Sequence, residues 1–221
     1  MKVEITGQVG PSILSDGSNH PVRQGKTGEL VVSALGGSFY ELASRGLVWR
    51  SGMGQTALSA NTISSSATTT PIIGLWNPEN SDRYLVPICA ILQVSVAGNS
   101  AVAPGAFVWA TSQDNSAITT GNNPVNTKTW LSPGGSVAKA FNINTALTGL
   151  TNTIVVQRAA AFGNLVAAQP ATATATFSPP GVEWFDGTEL VPPGGLLALL
   201  NSTSTTTVSV ASAIYWTEVT L

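Results

Sequence analysis

Short apolar bursts recur along this chain at intervals of about 8–15 residues, with turn-forming clusters between them. They include Glu29-Leu30-Val31-Val32, Gly46-Leu47-Val48-Trp49-Arg50, Pro71 to Trp76, a long run from Tyr84 to Val96, Ala106 to Thr111, Val182 to Phe185, Leu196 to Leu200 and Thr207 to Val219. The last alternates: Val208, Val210, Ser212, Ile214 and Trp216 share one parity, as on a strand with one face buried. Between the bursts stand Gly36-Gly37, Asn77 to Asp82, Ser178-Pro179-Pro180-Gly181 and Pro192 to Gly195, residue types that supply fixed or left-handed φ. Asp186-Gly187 is a tight-hairpin dipeptide. This grammar spells an all-β chain folded as an antiparallel sandwich or barrel. Phe39-Tyr40-Glu41-Leu42 reads as a further strand, residues 51–70 as a small and polar connection, and Pro87 as the mark of an edge or a bulge. Residues 136–149 and 156–168 have room for a turn or two of helix, against Gly163 and their β-branched residues.

Charge is scarce and uneven. Only 9% of the 221 residues are charged, for a net charge of −2, and 23 Ser and 26 Thr supply the polarity instead. Ordinary soluble domains are about a quarter charged. No basic excess exists to neutralise phosphates, so no nucleic-acid partner is expected. No apolar stretch approaches the ~18 residues of a membrane span, and Met1 to Thr6 leads into polar sequence, so neither a membrane nor a secretory leader is expected. A chain that hides much of its surface in an oligomer or shell needs few charges, because obligate interfaces are apolar. Nine charges fall in residues 1–50, against only Asp114, Lys128, Lys139 and Arg158 in residues 84–182. Residues 1–28 read as an extended arm, residues 1–50 as the arm with the first strands, and residues 51–221 as the sandwich.

Chemistry has little to work with. His20 is the one imidazole and precedes Pro21 inside the arm, a poor place for a catalytic base. Gly25-Lys26-Thr27 lacks the glycine that a phosphate-binding loop needs at position 20, which is His20. One Cys and one His cannot build a structural zinc site, and neither Glu79/Asp82 nor Asp114/Asn115 has calcium-loop spacing. No metal, no cofactor and no enzymatic activity are expected. Cys89 cannot form an internal disulfide and is expected to be buried within the Tyr84 run. Glu183, Asp186 and Glu189 form the densest acid cluster and read as decoration of a hairpin tip, with sugar contact or catalysis as lesser alternatives. The six tryptophans read as core or interface anchors, with Trp216 in the core. Trp130 and Trp184 are the candidates for exposed glycan contacts.

The run Arg23 to Val32, then Phe39 to Gly46, Leu75-Trp76-Asn77-Pro78, the strand from Tyr84, Leu190 to Gly195 and the closing Trp216-Thr217-Glu218 resemble small virion proteins of tailed bacteriophages, of the kind encoded near the major capsid protein. The resemblance implies a jelly-roll-type β-sandwich that decorates or cements the head, assembled in the host cytoplasm and carried on the capsid surface. It implies the major capsid protein and further copies of the chain as partners, in a homotrimer, and no catalytic residues. Arg23, Lys26, Arg45 and Arg50 are the candidates for polar contacts to the shell or to neighbouring subunits. A carbohydrate- or receptor-binding module of a head or tail fibre is the alternative.

Overall fold

The period-two runs become strands in the computed structural model, which describes residues 7–8, 22–23, 39–57, 71–96, 105–113, 124–131, 135–142, 154–165, 176–177, 180–201 and 208–220. The strands are β1 (Gly7–Gln8), β2 (Val22–Arg23), β3 (Val48–Ala57), β4 (Ile73–Trp76), β5 (Arg83–Val96), β6 (Gly105–Gln113), β7 (Val125–Asn126), β8 (Lys139–Asn142), β9 (Val155–Leu165), β10 (Thr176–Phe177), β11 (Gly181–Trp184), β12 (Gly195–Asn201) and β13 (Val208–Thr220). One helix, α1 (Tyr40–Ser44), stands among the described residues.

Residues 1–41 and 42–221 form two units. In the first, β1 and β2 pair in parallel, Gly7 beside Val22 and Gln8 beside Arg23. The rest of the expected arm, the strand expected at Glu29 to Val32 and Lys26 lie outside the described residues.

In the second unit one sheet runs β7–β3–β13–β5, with β10 and β11 both on the far side of β5, and the other runs β8–β4–β12–β6–β9. Every pairing in both is antiparallel. With β10 and β11 counted as one position and the short β7 and β8 set aside, eight strands remain. Numbered along the chain, they stand in the order 1-8-3-6 in the first sheet and 2-7-4-5 in the second. This is the jelly roll, two Greek keys folded into a double-sheet sandwich.

The main core lies between the sheets and includes Trp49, Leu85, Phe107, Trp109, Phe185, Leu199, Ile214 and Trp216. Val210, Ser212, Ile214 and Trp216 of β13 are buried, the parity read from the sequence. A second cluster, with Trp76, Val108, Phe141, Leu196 and Leu200, covers the other face of the second sheet. Strand β12 is therefore buried along its whole length, which is why Leu196 to Leu200 is an unbroken apolar run rather than an alternating one.

Several local expectations give way to tertiary pairing. Tyr40–Ser44 is helical, not extended: Gly46, at φ +77°, ends it, with Gly46 N donating to Ala43 O at 3.0 Å and Leu47 N to Leu42 O at 2.9 Å. Strand β3 begins at Val48 and continues to Ala57, because β13 pairs along it and sets Gly52 beside Ala213. The helix-compatible stretches hold β8 and β9, drawn out by β4 and β6. Pro87 marks a bulge but not an edge. Trp216 pairs with Pro87 and Tyr215 with Cys89, leaving Ile88 as the extra residue, while Phe185 N donates to Ile88 O from the other side. Asp186 and Gly187, at φ +46° and +74°, make a tight turn closed by Thr188 N on Phe185 O, yet no hairpin. Trp184 pairs with Cys89 before the turn and Val191 bridges Leu85 after it, so the chain steps off β5 and returns to it.

Candidate functional site

The outer faces of the two sheets differ: the second sheet's holds a buried apolar cluster, with Val155 and Val156 of β9 exposed on that sheet, while the first sheet's carries exposed Trp184 and Val182. On β11 the alternation sends Glu183 inward and Val182 and Trp184 outward. Register then builds two rows across four strands. One is Trp184–Cys89–Tyr215–Arg50 and the other Val182–Ile91–Ala213–Gly52. Three strand spacings separate Trp184 from Arg50, roughly 14 Å. Cys89 is buried within the first row, and desolvation pushes its thiol pKa up from the ordinary value.

Beyond Arg50 stands Trp130. The Arg50 guanidinium lies 4.9 Å from the centre of the Trp130 ring, a cation–π contact of about 0.5–1 kcal/mol at an exposed site. Asn126 at the end of β7 builds the loop that carries this indole. Its Oδ1 accepts from Lys128 N at 3.0 Å and Thr129 N at 3.4 Å, its Nδ2 donates to Gly46 O at 2.7 Å, and its carbonyl accepts from Trp130 N at 2.9 Å. Thr127 fastens the loop to β3 by giving both its N–H and its hydroxyl to Val48 O. Trp130 sits at φ +60°, a region that bulky residues avoid at about 1–3 kcal/mol, and it is 73% exposed. Leu131 and Leu47 are exposed beside it in the chain segments this loop joins.

The acid cluster is not tip decoration as a whole. Glu183 is 4% exposed and crosses between the sheets. It accepts from Trp109 Nε1 and from Ala161 N, each at 2.9 Å, and pairs with Arg158 of β9. Glu189 also reaches Arg158, at 3.4 Å, and only Asp186 is fully on the turn's outer side. Next to Glu189 a cleft of about 430 Å³ opens, lined by Thr111, Gln113, Gln157, Val191 and Leu197 among others. Gln157 Nε2 donates to Thr111 Oγ1 at 2.7 Å on its wall. Glycoside hydrolysis needs two carboxylates facing across a cleft; here Glu183 and Glu189 answer to one arginine.

Among the described residues no group of three or more His, Cys, Asp or Glu has metal-site geometry. His20 lies outside the described residues. No protein-family model matches this chain, and no curated protein matches it.

The residues nominated from sequence fall as follows. Trp130 and Trp184 are exposed, while Trp49, Trp76, Trp109 and Trp216 are buried. Arg50 and Trp130 are brought into one stack, with Trp184 at the far end of the same face. Arg45 is exposed in the turn after α1, and Arg23 stands in β2. Sequence reasoning missed Asn126, Arg158 and Glu218. Arg158 had a signal, since a lone charge in a charge-poor stretch needs a partner when a sheet closes over it. Glu218 accepts from Arg83, from Ser136 Oγ at 2.6 Å and from Val137 N at 3.1 Å, which ties the segment before β8 to the end of β13.

Proposed function

We propose that the protein is a non-enzymatic structural protein of a tailed-bacteriophage virion. It decorates or cements the head as a homotrimer and contacts the major capsid protein on the particle surface. The observation that carries the reading is the open face of the first sheet. A jelly roll with 9% charged residues leaves Trp184, Val182 and the Arg50–Trp130 stack uncovered on one side. Aromatic residues and arginine are the side chains that dominate protein–protein contacts. Sequence resemblance to small phage virion proteins supports the same reading, and the low charge fits a chain that shares its surface with neighbours.

Two measurements test it. Particles purified from the phage whose genome carries this sequence should contain the chain at a fixed ratio to the major capsid protein. Light scattering after size exclusion should give three times the chain mass. Absence from particles, or a clean monomer, overturns the decorating trimer. The second reading is a carbohydrate- or receptor-binding fibre module, favoured by the exposure of both nominated tryptophans. A glycan array that gives hits lost on Trp184→Ala would put that reading first.

A further inference from the structure

We infer that the Arg50–Trp130 corner is a preformed docking site for an acidic, apolar peptide segment of a partner protein. The backbone argument comes first. A tryptophan in the left-handed region is strained, and strain persists only where its surroundings over-determine it. Asn126 and Thr127 do so through their hydrogen bonds to the loop, to Gly46 and to Val48. The indole so held is not packed into the core: it is among the most exposed large apolar side chains of the described residues. A strained, well-fastened loop whose product is an exposed tryptophan is the pattern of a preorganised binding element, one that loses little entropy when a partner arrives.

The charges name the partner. Arg83 and Arg158 are committed to carboxylates inside the sandwich. Among the described residues neither Arg50 nor Lys128 has an acidic partner, and both belong to this corner. A guanidinium over an indole ring still has N–H groups to offer a carboxylate. Trp130 and Leu131, next to it in the chain, supply exposed apolar surface, and Leu47 is exposed in the segment to which the loop is bonded through Gly46 and Val48. Arg50 already covers one face of the ring, so a stacked sugar would have the other face alone. The leucines match aliphatic side chains rather than hydroxyls. The choice of protein over polysaccharide rests on the virion reading; the cationic and aromatic chemistry of the corner does not.

The test uses the full chain and three probes: a peptide of alternating Glu and Leu, its Lys/Leu counterpart, and an oligomer of glucuronate. The reporter is the Trp130 indole N–H resonance, assigned by its loss in Trp130→Asn. The Glu/Leu peptide should shift it. Affinity should fall about tenfold or more in Arg50→Gln, and also on raising salt from about 50 to about 500 mM. The Lys/Leu peptide should leave the resonance in place. Because Asn tolerates left-handed backbone, Trp130→Asn should melt at the wild-type temperature or higher while losing the peptide. A lower melting temperature makes Trp130 a structural residue and overturns the proposal. So does a resonance indifferent to the acidic peptide, equal binding of the basic one, or preference for glucuronate. Failures of the two readings separate. Heads that take up wild type, Arg50→Gln and Trp130→Asn equally sink the corner but keep the virion protein. Peptide binding by a chain absent from particles does the reverse.

Discussion

Glu183 Oε2 accepts a 2.9 Å hydrogen bond from Trp109 Nε1 across the gap between the two sheets. The same carboxylate takes Ala161 N and pairs with Arg158, so one acid on β11 closes one flank of the sandwich onto β6 and β9. Removing it strands the buried indole N–H, at about 1–3 kcal/mol for a buried orphan, while the N–H of Ala161, an exposed residue, regains water. Arg158 is 36% exposed and regains water, so its share is small. Glu183→Ala should cost about 2 kcal/mol in urea unfolding. Glu183→Gln, whose amide oxygen still accepts from Trp109, should cost less. A loss under about 1 kcal/mol in the alanine variant would show that the bridge does not hold the flank.

Cys89 lies between Trp184 and Tyr215 in the cross-strand row, with its thiol pKa raised by burial. A raised pKa means the folded state holds the proton more tightly than the unfolded one. The stability this contributes is complete below the unfolded value of about 8.5 and is lost as pH climbs through the folded value. Cys89→Ser should therefore flatten the stability profile above that point. Native protein should react slowly with a thiol reagent near pH 8, and Trp184→Ala, which uncovers one side of the row, should speed the reaction. Equal rates in the two proteins would mean that Trp184 does not shield the sulfur.

Gly195 and Gly187 separate steric from conformational need. A Cβ at Gly195 would sit 2.8 Å from both Pro192 Cδ and Pro192 O, inside the turn that opens β12. At Gly187 it would meet nothing within 4 Å, leaving only the φ of +74° to object. Gly195→Ala should cost about 2–3 kcal/mol through forced movement of the turn. Gly187→Ala should cost about 1 kcal/mol. Thermal unfolding of the pair checks the order; the reverse order would mean the Pro192 turn yields easily.

Where pattern and tertiary structure agree, the fold was legible. The alternation from Val208 to Trp216, the run from Tyr84, and Pro87 as a bulge all follow from side chains that carry their own instructions. Where they disagree, a partner strand decides. Ser51 to Ala57 has too many small residues to announce a strand, yet β13 lies along it. From sequence, Glu183 reads as turn decoration because it neighbours Asp186-Gly187. Its burial is set by Arg158, 25 residues earlier on the opposite sheet. In sequence Arg50 and Trp130 read as two separate candidates. They stand 80 positions apart and meet only because β7 adds to the edge of β3, Arg50 beside Val125. Such additions leave no periodic trace.

Asn126 is the residue on which that meeting depends. It is buried, and it serves the loop through both ends of its amide and through its own backbone. Alanine at this position leaves Lys128 N, Thr129 N and Gly46 O without their partner, while β13 and the inter-sheet core keep all their contacts. The cost should be local, about 2 kcal/mol, and visible as faster amide exchange at residues 127–131 and at Leu47 with β13 unchanged. Freed of its scaffold, Trp130 should leave the left-handed region and lift off Arg50, so the indole should also become more accessible to a fluorescence quencher. Unchanged exchange in the loop would place the hold on Trp130 in the Thr127–Val48 bonds instead, and Thr127→Ala would then produce the same pattern.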